Sequence, residues 1–264
     1  MGNKIKNFDA APFDLTNICD SVQSLYLTPP EREKLVVIVG ATSVGKSSLA
    51  VDLAQMFGTE IISADSMAVY KNFNVGTAKP SREELARVKH HLIDILDAEQ
   101  KFSMVEFLQR AREIISDLNA RGKIPIVAGG TGLYVQALVE GYDAHAGDKS
   151  FTSHFKRTGK LFYDALVFGL TADREILYDR INRRTQKLFD DGLVDEVKNL
   201  LAQGVSPQAQ AMRGIGYKET LQYLQGGATL DQTKANVAQA TRNFAKRQLT
   251  WFRRMNYIRW LKIF

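Results

Sequence analysis

One cysteine, Cys19, stands in 264 residues. A lone thiol excludes an internal disulfide and any zinc site built from several cysteines, and a reducing cytoplasm is the expected compartment. No stretch approaches the roughly eighteen uncharged apolar residues of a membrane helix, so no membrane association is expected. No apolar run follows the weakly basic stretch Met1–Asn7, which argues against a secretion signal. Acid is missing from one place. Between Gln232 and Phe264 there is no Asp or Glu, while the same window holds Lys234, Arg242, Lys246, Arg247, Arg253, Arg254, Arg259 and Lys262. This segment alone accounts for the formal net charge of +6. A clustered basic face is the footprint of a polyanionic partner such as RNA; a solvated basic helix has the same composition.

What is present is ordinary for a globular protein with a real core: 45% hydrophobic and 24% charged residues. The length allows one large domain or a domain with an appendage. Residues 1–33 read as an irregular or loosely docked extension that ends at Pro29-Pro30, and residues 34–264 as the domain proper.

The chain is organised around Gly40-Ala41-Thr42-Ser43-Val44-Gly45-Lys46-Ser47. An apolar run, Leu35 to Val39, precedes it, and a stretch with helical spacing follows from Ser48. This is the phosphate-loop pattern G-x-x-x-x-G-K-[ST] in its strand–loop–helix setting. Successive N–H groups and the positive helix end point at an anion. Lys46 adds a mobile charge, and the Ser47 hydroxyl is placed to hold Mg²⁺. The loop specifies phosphate or diphosphate; taken alone it suggests a nucleotide such as ATP.

The rest predicts an α/β fold with a parallel sheet flanked by helices and a mostly helical part from residue 171 onward. Strands are expected at Glu60–Ser63, His91–Leu96, Ile124–Val127 and Asp164–Leu170. Ligands in such sheets sit beyond the carboxyl ends of the strands, so Asp65 and Ser66 fall at the rim of Lys46. Asp65 there is a Mg²⁺ ligand, a general base or a helix cap. His90 and His91, adjacent on a strand, point to opposite faces and do not chelate together. Ala128-Gly129-Gly130-Thr131-Gly132-Leu133-Tyr134 is a second glycine-rich turn at the same rim. It is either a tight turn or a backbone approach to ligand with the Thr131 hydroxyl exposed. Thr171 is the expected cap of a helix carrying Arg174, Arg180, Arg183 and Arg184, which either close over a bound anion or are solvated. Residues 141–160 read as a connection. The last helix is expected from about Leu230 toward Trp260, with an apolar stripe (Val237, Thr241, Phe244, Gln248, Trp251) and a basic one (Arg242, Lys246, Arg253).

These residues resemble the tRNA dimethylallyltransferase family. The resemblance is carried by the loop Gly40–Ser47 and by Ile62-Ser63-Ala64-Asp65-Ser66-Met67-Ala68-Val69-Tyr70. It extends through Val75-Gly76-Thr77-Ala78-Lys79-Pro80, Ala128–Tyr134, Gly214-Ile215-Gly216-Tyr217-Lys218-Glu219, and the run Thr241 to Arg253. It implies transfer of a dimethylallyl group from dimethylallyl diphosphate to N6 of the adenine 3′ of the tRNA anticodon. It further implies that the loop, with Thr42 to Ser47 and with Arg242, binds diphosphate and Mg²⁺. Asp65 is the implied general base, and Thr131 is implied to bond near the reacting amine or the bridging oxygen of the diphosphate. Asp65, Ser66, Met67, Ala68 and Thr131 would face the target base, and Lys246, Arg247 and Arg253 the tRNA backbone. A monomer is expected. The sequence departs from the family pattern twice. Ala68 stands where the family has Gln, and a helical insertion with the segment after it is replaced by residues 141–160. The resemblance thus describes an internally shortened member, in which diphosphate binding should survive better than the grip on tRNA. Transfer to free adenylate, a P-loop small-molecule kinase and a non-enzymatic RNA-binding remnant are the competing readings.

Overall fold

The computed structural model describes residues 10–142 and 161–263. In chain order the elements are β1 (Ala11–Pro12), α1 (Leu15–Leu27), β2 (Lys34–Gly40), α2 (Lys46–Met56), β3 (Ile61–Ser63), α3 (Arg82–Arg87), β4 (His90–His91), α4 (Met104–Ala120), β5 (Ile126–Ala128) and α5 (Gly132–Val139). After residue 160 come β6 (Asp164–Thr171), α6 (Arg174–Asp190), α7 (Leu193–Ala202), α8 (Tyr217–Leu224), α9 (Leu230–Phe252) and β7 (Arg259–Lys262). The strands pair in the order β1-β7-β6-β2-β5-β3-β4, every pair parallel.

A parallel sheet covered on both faces needs strands that are apolar throughout, and β2 shows why its run Leu35–Val39 has no polar break. Leu35, Val37 and Val39 join the core that contains α4, α5 and Phe252. Val36 and Ile38 join the opposite core, formed with α1, α2 and Leu177 and Ile181 of α6. Burying such side chains stabilises the fold by about 1.5–3 kcal/mol each. The phosphate loop therefore leaves the centre of the sheet, between β5 and β6, where the crossovers diverge and a ligand crevice forms. Among the described residues no helix is long and apolar enough to cross a membrane.

Four expectations change. Residues 10–33 are not a loose extension. Asp14 caps α1, accepting from the Thr16 and Asn17 N–H groups, and Ile18 and Val22 are buried; the 3–4 spacing of Leu15, Ile18, Val22 and Leu25 is a helical face hidden in a polar composition. The apolar run His91–Leu96 pairs with β3 only at its start, because Leu92 and Asp94 take left-handed backbone angles that bend it out of the sheet, and its end makes a separate bridge from Leu96 to Tyr70. Thr171 ends β6, and Asp173 is the residue ahead of α6. The last helix stops at Phe252. Beyond it the pattern switches to period two, with Ile258 and Trp260 buried, and β7 covers the open edge of β6. Arg259 and Lys262 thus belong to a strand, not to the basic helix. The shortened connection at 141–160 lies almost wholly outside the described residues.

Candidate active site

The phosphate loop turns through left-handed angles at Ser43 (φ 64°) and Gly45 (φ 99°) before α2 begins at Lys46. Thr42, Ser43, Gly45, Lys46 and Ser47 line a cavity of about 400 Å³. Gly40 stays in the sheet as the last residue of β2, and the Val44 side chain is buried in the core beneath the loop. Ser43 lines the cavity, and its hydroxyl is buried without a hydrogen-bond partner among the described residues. Lys46 Nζ donates to the Ala41 carbonyl at 2.6 Å.

Two arginines of α6 complete this cavity. Arg180 and Arg184, four residues apart and so on one helix face, both line it. Arg183 turns outward to Asp179, and Arg174 lies over the Tyr178 ring. Burial, the Arg184 charge and, opposing them, the Asp65 charge together bring the Lys46 ammonium down to about 7. Burial lowers Arg184 as well, against the pull of Asp65. Lys46, Arg180 and Arg184 line the cavity against one carboxylate, Asp65, an excess of positive side chains that an anionic ligand would balance.

Asp65 sits beyond β3. Its Oδ1 accepts from the Met67 N–H at 2.8 Å and from the Ala68 N–H at 3.3 Å. The capping role is therefore real but uses one oxygen, and Oδ2 has no hydrogen bond among the described residues. Thr131, ahead of α5, accepts the Ser66 N–H on its hydroxyl at 3.2 Å, which ties the two rim turns and leaves the hydroxyl proton available. Asp65, Ser66, Met67, Thr131 and Arg247 line a second chamber of about 320 Å³, with Ile181, Leu188, Tyr217, Val237 and Phe244 as its apolar walls. The two chambers share Thr42, Asp65, Thr77, Arg184 and Phe244. Ala68, expected beside the target base, lines only the first chamber and is 6% exposed, because its turn beyond β3 faces the phosphate loop.

Gln248 of α9, 4% exposed, joins the two glycine turns. Its Oε1 accepts from the Thr42 N–H at 2.8 Å, and its Nε2 donates to the Gly130 carbonyl at 3.0 Å. A Cβ at position 130 would lie 2.1 Å from that nitrogen, so the close approach requires glycine there. Sequence reasoning placed Gln248 on the inward stripe without a role. Trp251 is half-buried against this core, as its stripe implies.

Arg242 is not brought to the phosphate loop. It lines neither chamber, and it donates instead to Asn182 at 2.6 Å and to Gln239 at 2.8 Å, tying α9 to α6. At 100° per residue it faces away from Phe244 and Gln248, and the cations over the loop come from α6. Lys246 and Arg247 line a groove on the outer side of α9 with Trp251 and Arg254; Arg253 is exposed at the end of the same helix. His90 and His91 do diverge. His90 Nδ1 meets the Val88 carbonyl, while His91 Nε2 pairs with Glu60 at 2.6 Å.

The family model described as IPP transferase matches residues 68–157 and 144–255. The tRNA dimethylallyltransferase of Streptococcus suis (strain 05ZYH33) is 40% identical over 268 positions, covering 84% of this chain and 90% of that protein. The tRNA dimethylallyltransferase of Carboxydothermus hydrogenoformans is 40% identical over 285 positions, covering 86% and 91%. Among solved structures, the full-length tRNA isopentenylpyrophosphate transferase of Bacillus halodurans superposes with a TM-score of 0.78 at 35% identity, over 88% of this chain and 90% of that one. A eukaryotic dimethylallyltransferase acting on tRNA gives 0.75 at 25% identity, over 87% and 74%. With its rim residues and its sheet order both accounted for, the chain belongs to the IPP transferase family, that of the tRNA dimethylallyltransferases.

Proposed function

We propose that this protein transfers a dimethylallyl group from dimethylallyl diphosphate to N6 of the adenine 3′ of the tRNA anticodon, releasing diphosphate. One observation carries the reading: a cationic phosphate-loop cavity adjoins a largely apolar chamber, Asp65 lines both, and Thr131 lines the apolar one beside it. A phosphoryl-transfer enzyme needs its second chamber to present a polar acceptor to a terminal phosphate. An allyl transferase needs an anion site for its leaving group beside an apolar, base-sized space.

The chemistry follows from the geometry. Loop amides, Lys46 and Arg184 hold the diphosphate and stabilise the charge that gathers on it as its bond to the allylic carbon breaks. The target adenine leaves its stack to reach the chamber, which single-stranded loops allow at low cost. Its N6 attacks the allylic carbon as the carbon–oxygen bond opens. The N6 proton passes to Asp65, whose Oδ1 holds the turn and whose Oδ2 is the accepting atom. Thr131 holds the amine or the bridging oxygen through its hydroxyl.

The donors present suit Mg²⁺ arriving with the diphosphate. Ser47 offers one hydroxyl on the cavity wall, and no cluster of three or more His, Cys, Asp or Glu among the described residues would hold an ion unaided. Mg²⁺ shared between one protein oxygen and substrate phosphates is its usual mode, and there it would neutralise the leaving group.

Lys246, Arg247 and Arg253 would follow the tRNA backbone along the outer face of α9. All the proposed groups come from one chain, which suits a monomer, and the cytoplasm is where both substrates would meet it. Residues 141–160 would replace the family's helical insertion. In support, the Streptococcus suis alignment runs over 268 positions while drawing on 84% of this chain, so that relative has a stretch without a counterpart here. The proposed consequence is a weaker grip on tRNA with diphosphate binding kept.

The test is incubation with labelled dimethylallyl diphosphate, unmodified tRNA and AMP. Label in the tRNA anticodon loop is the expected result. Label in AMP alone would move the substrate to free adenylate, and turnover of ATP with a small acceptor would replace prenyl transfer altogether.

A further inference from the structure

The loop between β3 and α3 forms the partition between the two chambers, with Thr77 lining both. Its own turn bonds run from the Thr77 hydroxyl to the Phe73 carbonyl and from the Ala78 N–H to the Val75 carbonyl, and Ala78 takes a left-handed angle (φ 46°) without being glycine. The amides these bonds leave over are held from outside, by one carboxylate of the helical half. Glu196, in the first turn of α7, accepts the Asn74 N–H at 2.9 Å and the Val75 N–H at 2.8 Å on Oε2. Its Oε1 accepts the Gly76 N–H at 3.1 Å and the Tyr217 hydroxyl at 2.6 Å.

Three successive amides converging on an anion form a nest, the device by which phosphate loops hold phosphates. Here the protein's own carboxylate fills it. Tyr217, fully buried, lies flat on Gly76: a Cβ at that position would fall 2.4 Å from its ring. One residue further on, the Thr77 carbonyl faces the Arg184 guanidinium at 3.5 Å. Lys79, its side chain 4% exposed, anchors the far end of the loop on Asp94 and on the Tyr70 and Asn74 oxygens. Glu196 lines neither chamber, yet the carbonyl facing Arg184 comes directly after the three amides it holds.

We infer that Glu196 is a positioning residue for the anion site, acting through the 74–77 loop on Arg184. The inference rests on the reading of the phosphate-loop cavity as a diphosphate site. Glutamine at 196 keeps the size but turns an NH₂ group toward backbone N–H donors, so the nest opens and Arg184 loses its fixed partner.

The test measures binding of inorganic pyrophosphate with Mg²⁺ by calorimetry on the full chain, which needs no turnover. Glu196→Gln is expected to weaken binding at least tenfold. On an Arg184→Gln background the same change is expected to add less than twofold, because the path to the site is already cut. Equal affinity in the parent and Glu196→Gln, or full additivity with Arg184→Gln, would overturn the inference. If Glu196→Gln does not fold, Tyr217→Phe removes one of the four hydrogen bonds while keeping the ring on Gly76. That variant is expected to weaken binding about threefold, and unchanged affinity would again count against the inference. A parent protein that binds no pyrophosphate would instead overturn the diphosphate reading itself.

Discussion

The main-chain N–H of Thr42, the third residue of the phosphate loop, donates to Oε1 of Gln248, 206 residues further along the chain. That amide is therefore spent inside the protein, and the anion-facing part of the loop begins at Ser43. The other end of the same side chain holds the Gly130 carbonyl, so one buried amide sets the spacing between the phosphate loop and the turn that carries Thr131.

Replacing Gln248 by Glu keeps an acceptor for Thr42 but removes the donor to Gly130 and puts a carboxylate beside an anion site. Loss of one buried hydrogen bond with an unsatisfied partner costs about 1–3 kcal/mol. In a protein of this size that lowers the melting temperature by about 2–4 °C per kcal/mol. Pyrophosphate binding should fall more steeply than stability. Calorimetric titration beside a thermal melt checks this, and a loss of stability alone would show that Gln248 only braces the fold.

Asp65→Asn should abolish prenyl transfer while sparing pyrophosphate affinity. The asparagine oxygen still accepts the Met67 and Ala68 N–H groups that the Asp65 Oδ1 accepts now, so the turn survives and only the proton acceptor is lost. General-base catalysis contributes about 10²–10⁴-fold. Single-turnover rates with tRNA, set against pyrophosphate binding, separate the two effects. An equal loss in both would make Asp65 chiefly a metal ligand.

Ala68 marks a departure that can be reversed. Its side chain lines the anion cavity, so Ala68→Gln projects into open space rather than into packed core. Asp65, which accepts the Ala68 N–H and lines both chambers, is the boundary such an amide must reach past; an adenine edge read there in bidentate fashion is worth about 1–3 kcal/mol of discrimination. The expected result is a higher ratio of kcat/KM for anticodon loops with adenine at the target position over loops with another base there. An unchanged ratio would remove the position from base reading.

Lys46 gives a pH signature. An unfolded lysine stays charged up to about 10.4, whereas burial and the Arg184 charge bring Lys46 down to about 7 in the folded protein. The unfolded state thus holds more protons between those values, so this group makes stability rise with pH from about 7 upward, relative to the charged, buried form at lower pH. A bound diphosphate reverses the bias and recharges the amine. Binding at pH 8 should therefore take up a proton at Lys46, seen as a dependence of calorimetric heat on buffer ionisation enthalpy. Lys46→Met should lack that component, and identical buffer dependence in both proteins would contradict it.

The phosphate loop, its flanking elements and the rim position of Asp65 and Thr131 were legible because each depends on neighbours in sequence. Strand, glycine turn and helix cap are local physics. What escaped was set by distant partners. The β7 strand lies in a basic run that continues a helical pattern, and only the open edge of β6 makes it a strand. Arg180 and Arg184 could be named but not chosen over Arg242, because which helix face meets the loop is decided by the packing of α6 against α9. The 74–76 amides gave no sign of needing an anion, and Glu196, some 120 residues away, gave no sign of serving one.

The pairing of Ala11 with Leu261 sets an order of events during synthesis. Among the described strands the earliest, β1, waits about 250 residues for its partner, which at 5–20 residues per second is roughly 12–50 s of translation. Until β7 arrives, β6 presents an unpaired edge, the kind of surface on which chains associate wrongly. A ribosome that stalls late in this message would therefore release a chain whose phosphate loop is formed but whose sheet is still open, and such a product should be found with chaperones rather than in the free pool.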